Sequence, residues 1–139
     1  MVIAYEITRG ARFRICAVGS SDSGKVHIPY FDFLKEVTTT APHERAKLIF
    51  LLDYTKDFGP PRDEQKCRSL AGHEGLFEFK TRGGLRVFWF YDEDRLIVCT
   101  TGFVKKKQKT PAEEISKAEG WRAAYREAKH AGQLKHLQP

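Results

Sequence analysis

Cysteine is scarce in this 139-residue chain: Cys16, Cys67 and Cys99 are odd in number and widely separated. That argues against a disulfide framework, and the absence of any CxxC or Cys/His spacing argues against a structural zinc site. Long hydrophobic runs are also missing, none approaching the roughly 18 residues that a membrane span needs. The opening MVIAYEITRGARF lacks the basic start, apolar stretch and small-residue cleavage site of a secretory signal. The expectation is a cytoplasmic protein with no membrane attachment. No internal repeat, low-complexity block or Pro/Ser linker divides the chain. One domain over residues 1–131 is therefore expected, with 132–139 as a frayed tail.

What the chain does contain is material for a core and an excess of positive charge. Hydrophobic residues make up 41%, aromatic residues 12% and charged residues 30%, the balance of a soluble globular domain rather than a disordered one. The formal net charge is +6, which suggests an anionic partner. The charge is concentrated. Residues 80–110 hold Lys80, Arg82, Arg86, Arg95, Lys105, Lys106, Lys107 and Lys109 against only Asp92, Glu93 and Asp94, so this segment carries +5 of the excess.

Two strand-like runs open the chain, Val2 to Ile7 and Phe13 to Val18, with a turn at Arg9-Gly10 and a surface loop over Gly19 to Gly24. A helix is expected from Pro29 to about Val37, contributing Phe33 and Leu34 to the core. A second runs from Pro42 to Phe58 and carries a wide apolar stripe that includes Ala46, Ile49 and Phe50. It stops at Gly59-Pro60-Pro61. After a polar connection over 62–75 the period changes to two, giving strands at 76–82, 85–91 and 95–103 with short hairpin connections at Gly83-Gly84 and Asp92-Glu93-Asp94. Alternation sets Glu78, Lys80 and Arg82 on one face of the first of these strands and Phe77 and Phe79 on the other. Thr110-Pro111-Ala112-Glu113 has the form of a capping box, opening a terminal helix to about Lys129. Its core face would be Ile115, Ala118, Trp121 or Arg122, and Tyr125. The order ββααβββα implies an α+β fold, an antiparallel sheet with helices on one side.

In this arrangement Lys80, Arg82 and Arg86 surround one hairpin and Lys105–Lys109 follow the last strand. All then meet at one end of the sheet, a surface suited to phosphate. Trp89, Tyr91 and Phe103 are candidate base-stacking groups wherever they are exposed.

Three stretches carry a resemblance: Leu76-Phe-Glu-Phe-Lys-Thr-Arg82, Leu85-Arg-Val-Phe-Trp-Phe90, and Thr101-Gly-Phe-Val-Lys-Lys-Lys-Gln-Lys-Thr-Pro111 with Glu114-Ile115. Over roughly residues 28–126 the chain resembles the phage-derived, HigB-like branch of the RelE/ParE toxin superfamily of type II toxin–antitoxin systems. The resemblance implies a compact antiparallel β-sheet with helices packed on it. It also implies a ribosome-dependent mRNA endoribonuclease (mRNA interferase) with no cofactor and no metal, in which a 2′-hydroxyl attacks the adjacent phosphate. Carried over by position, it makes Lys80, Arg82, Arg86, Lys105 and Lys106 the catalytic candidates and Lys107 and Lys109 RNA-binding ones. Arg86 would be the phosphate stabiliser and Lys80 a base or charge stabiliser. Glu78 stands where some RelE toxins have lysine, and pairing with Lys80 is the favoured reading over a role as base. His73 reads as a structural or solvated turn residue, and no tyrosine matches the one in the final helix of RelE. The implied partners are mRNA on the ribosome and a helix-turn-helix antitoxin. The alternatives are a ParE-like toxin that poisons DNA gyrase and a non-catalytic nucleic-acid-binding phage module.

Overall fold

The computed structural model describes residues 1–139. Eleven elements follow one another: β1 (Val2–Arg9), β2 (Arg14–Asp22), β3 (Lys25–His27), α1 (Pro29–Thr40), α2 (Pro42–Phe58), β4 (Cys67–Ser69), β5 (Phe77–Lys80), β6 (Leu85–Asp92), β7 (Leu96–Val104), α3 (Ala112–His130) and β8 (Lys135–Leu137). The eight strands form one mixed sheet in the order β4-β5-β6-β7-β2-β1-β8, with β3 paired to β2. No helix is long and apolar enough to cross a membrane.

The sheet has two parts. An N-terminal hairpin, β1–β2, and a meander, β4 to β7, are each antiparallel. They join where β2 runs parallel to β7, with Arg14 opposite Leu96 and Ala17 opposite Cys99. The wholly antiparallel sheet expected from the hairpin pattern is thus corrected to a mixed one. A parallel seam needs a long crossover, which α1 and α2 supply.

The helices lie on both faces of the sheet, not one. Helices α1 and α2 bury Phe33, Leu34, Val37, Leu48, Leu51 and Leu52 against Ile3, Ile15, Val87, Trp89, Ile97 and Cys99. Opposite them, α3 covers Ala4, Cys16, Val18, Phe90, Leu96 and Val98 with Tyr125, and Leu76, Phe88 and Phe103 with Ala118. Burial on both sides is why Leu96-Ile-Val-Cys99 is continuously apolar rather than alternating. Gly102 allows α1 to approach, because a Cβ there would meet the Phe33 ring.

Several local expectations change. The Gly19–Gly24 segment is not a loop: β2 continues to Asp22 and turns at Ser23-Gly24 into β3. The helix from Pro29 runs to Thr40, one turn beyond Val37, whereas α2 has the expected bounds and stops at Gly59, whose φ of 84° is costly for other residues. The 62–75 connection contains β4. Helix α3 begins after Pro111 with no side-chain cap, so the capping box does not form, and its buried face is Ala118, Arg122, Tyr125 and Ala128. Residues 132–139, expected to fray, contain β8, which lies parallel to β1 with Ile3 opposite Lys135.

Candidate nucleic-acid interface

At the end of the sheet away from the β6–β7 turn, the meander carries a row of charged side chains on the face that α3 covers elsewhere. Register creates it. Lys80 on β5 stands opposite Arg86 on β6, and Arg86 stands opposite Phe103 on β7. One step along, Arg68 on β4 faces Glu78 on β5, which faces Phe88. Period-two alternation therefore places Arg68, Glu78, Lys80 and Arg86 on one surface.

Glu78 is completely buried. Its Oε1 accepts a 2.8 Å hydrogen bond from Arg68 Nε and lies 3.8 Å from Arg86 Nε. Glu78 thus pairs, but with the two arginines rather than with Lys80. Taking a carboxylate out of water is tolerable here because two guanidinium groups flank it. Arg86 is fixed more firmly still. Its Nη1 donates to the carbonyls of Thr81 and Leu85, at 3.0 and 2.9 Å, and its Nε is buried against Glu78. Nη2 is left as the nitrogen facing outward.

Lys80 donates to the carbonyl of Glu64 at 3.0 Å. Desolvation first, then the charges of Arg68 and Arg86, hold its ammonium below the ordinary lysine range, with Lys105 adding to the effect. Burial likewise lowers Arg86, against the raising influence of Glu78. Lys105 is seated by its own backbone N–H, which donates to Gly84 O at 2.7 Å across the β5–β6 turn. Arg68 and Arg86 thus hold the buried carboxylate, and Lys80 and Lys105 add two further cations beside them.

The other expected residues are distributed differently. Strand β5 ends at Lys80, and Thr81–Gly84 form the turn, closed by Gly84 N–H to Thr81 O at 3.0 Å. Arg82 therefore does not continue the strand face of Lys80; it is exposed at the turn and lines a groove beside α2 that Lys80 also borders. Lys106 lines a second groove of about 820 Å³ with Glu36, Glu114 and Lys117. Lys107 and Lys109 are exposed in the segment before α3. Of the proposed stacking aromatics, Trp89 and Phe103 are buried and Tyr91 is 43% exposed. Trp89 is enclosed in a stack with Phe77 and Phe79, at centroid distances of 4.6 and 5.0 Å. The open rings belong to α2 instead: Phe50, Tyr54 and Phe58 are exposed, so Phe50 leaves the apolar stripe expected to hold it. The helix buries one face only, Leu48, Leu51, Leu52 and Thr55, and Phe50 lies one to two hundred degrees around the axis from them.

Two other candidates have structural work. His73 Nδ1 is 3.7 Å from Glu119, and its turn is tied to α3 by Arg122 Nη1 donating to Glu74 O at 3.0 Å. Tyr125 is buried and donates to Asp92 at 2.5 Å, remote from the cationic row. Arg68 is the site residue that the sequence reading missed. Its strand is three residues long and carries no alternation to reveal it, and the only available sign was that Glu78 needed a cationic partner.

The fold and this row define a class: an α/β/α-layered α+β protein presenting fixed positive charge at one sheet end. Residues 35–122 match the family described as phage-derived protein Gp49-like (DUF891), well over half of the chain. The chain belongs to that family, a RelE/ParE-like toxin family. No curated protein matches it.

Proposed function

We propose that this chain is the toxin of a type II toxin–antitoxin system, of the HigB-like kind, and cleaves mRNA on the ribosome. The observation that carries this reading is the cluster of Arg68, Lys80, Arg86 and Lys105 at one sheet end, with Arg68 and Arg86 held by one buried carboxylate and Arg86 immobilised with one guanidinium nitrogen left unpartnered. In-line transesterification of RNA puts extra negative charge on a pentacoordinate phosphorus, and donors held in place beforehand stabilise that charge without reorganising. The 2′-oxygen loses its proton and bonds to phosphorus; the bond to the 5′-oxygen breaks, and that oxygen takes a proton from water. A 2′,3′-cyclic phosphate and a 5′-hydroxyl result.

Lys80 is the base in this scheme. Desolvation and its arginine neighbours raise the fraction of neutral amine at a given pH, and the neutral amine is the form that accepts a proton. Arg86 supplies the stabilising charge. A helix-turn-helix antitoxin covering the row completes the reading.

The test is an mRNA translated in vitro with purified ribosomes and the protein. Cuts bearing 5′-hydroxyl ends are expected only when ribosomes are present, and they should vanish with Arg86→Ala. Full cutting by Arg86→Ala, or uncut message under arrested translation, would overturn the reading. DNA-break signalling without cuts would point to gyrase.

A further inference from the structure

Lys80 of the cationic row also lines, with Arg82, a groove of about 1000 Å³ between α2 and the segment over residues 61–66. One wall is α2, which presents Phe50, 71% exposed, and one turn later Tyr54, 41% exposed. Neither ring is needed by the core, which α2 fills with Leu48, Leu51 and Leu52. Arg62, Lys66, Lys80 and Arg82 line the rest. The outer lip is fixed to the sheet, since Lys80 N–H donates to Lys66 O at 2.8 Å and Lys80 Nζ donates to Glu64 O.

The charges in the groove are unevenly committed. Its one carboxylate, Asp63, is engaged within its own turn, accepting from Gln65 N–H at 2.9 Å. Lys47, also in the wall, is neutralised by Glu44 at 2.9 Å. Arg62, Lys66 and Arg82 form no salt bridge. Open aromatic rings on one side and unpaired cations on the other match a single strand of nucleic acid, which has a flat base and a phosphate at every residue. A duplex does not fit, because its bases face inward. An apolar peptide would leave the cationic wall without partners.

We propose that this groove binds the single-stranded RNA flanking the scissile phosphate, with bases stacked on Phe50 and Tyr54 and phosphates held by Arg62, Lys66 and Arg82. Lys80 belongs to both sites: it stands opposite Arg86 across β5 and β6, and it also lines the groove. The inference rests on the RNA-cleaving reading for its substrate, but it concerns binding and is tested without cleavage.

The experiment is fluorescence anisotropy of a labelled ten-nucleotide single-stranded RNA, 2′-O-methylated at every position to prevent cutting, added to the whole chain at low salt. Phe50→Ala and Tyr54→Ala are each expected to weaken binding about 5- to 100-fold, while Tyr54→Phe restores it. Lys66→Ala should flatten the dependence of log affinity on log salt by about 0.7. Phe50→Trp should bind normally, and the indole should be quenched as RNA is added. Circular dichroism checks that the exposed substitutions leave the fold unchanged. Equal affinity for wild type and both alanine variants overturns the groove even if the protein cuts mRNA. Stacking-dependent binding with no cutting anywhere upholds the groove and removes the nuclease. If the α2 variants lose only inhibition by an antitoxin peptide, with RNA binding intact, the groove is a protein-docking surface and the proposal fails.

Discussion

Arg86 shows how one side chain is prepared for a phosphate before any phosphate arrives. Two backbone carbonyls and a buried carboxylate remove its freedom, so little ordering entropy is lost when a ligand binds at Nη2. Arg86→Ala is expected to reduce single-turnover cleavage by about 10²- to 10³-fold, the effect of losing one preorganised donor. Lys80 and Lys80→Arg separate a base from a fixed charge. Arginine keeps the charge but releases no proton, so the wild-type rate should climb with pH toward the lowered lysine value while the variant's profile stays flat and low. Glu78 has a different consequence. Removing this fully buried carboxylate leaves Arg68 and Arg86 facing each other without compensation, and Glu78→Ala should cost about 3–5 kcal/mol in urea unfolding. Sequence alternation brought Lys80 and Glu78 to one face. It gave no hint that a third strand would bring Arg68 to the same carboxylate.

Among the elements, the β5–β6 hairpin and its contact with α2 position the site. Glu44, in the first turn of α2, accepts the Gly83 N–H at 2.5 Å, and its carboxyl is held below the ordinary range by the hydrogen bond from Lys47 and then by those from Thr81 and Gly83, against the effect of burial. Gly84, with φ of 105°, completes the turn and accepts Lys105 N–H, so the glycine pair seats both the strand arginine and the lysine run. On the face that α1 shares with α2, Gly102→Ala would drive a methyl into the Phe33 ring and push α1 off β7. A loss of about 1–3 kcal/mol, visible as a lower thermal midpoint, is expected. The hairpins, α2 and the start of α1 were legible because apolar period, proline and glycine act within a few residues. The short strands β3, β4 and β8 were not, since three residues hold no period and exist only through their neighbours in the sheet.

For the whole molecule, α3 is clasped to the sheet end opposite the cationic row. Asp92 accepts from Tyr125 at 2.5 Å and Lys129 at 2.6 Å. Burial works to raise the Asp92 carboxyl, but the hydrogen bonds from Lys129 and Tyr125 outweigh it and the net shift is downward. The hydrogen bond to Asp92 raises Lys129. A depressed carboxyl stabilises the fold above its unfolded pKa, and that contribution fades as pH falls through the folded value. A raised ammonium stabilises below its unfolded pKa, and that contribution fades as pH rises through the folded value. The clasp therefore works fully between about pH 4 and 10.5. Thermal melts of Asp92→Asn should show a lower midpoint at neutral pH, converging on wild type in acid.

The sequence by itself determined the α+β content, the two-proline helix starts, the hairpins and the concentration of charge over residues 80–110, because each follows from neighbours along the chain. Only the tertiary structure decided that β2 joins β7 in parallel, that helices cover both faces, and that Arg68 joins Lys80 and Arg86 while Arg82 turns toward α2 and Lys106 toward a different groove. The physical reason is that a strand's pattern states which residues share a face. Which strands lie beside it is settled by long-range burial, and no local period records it.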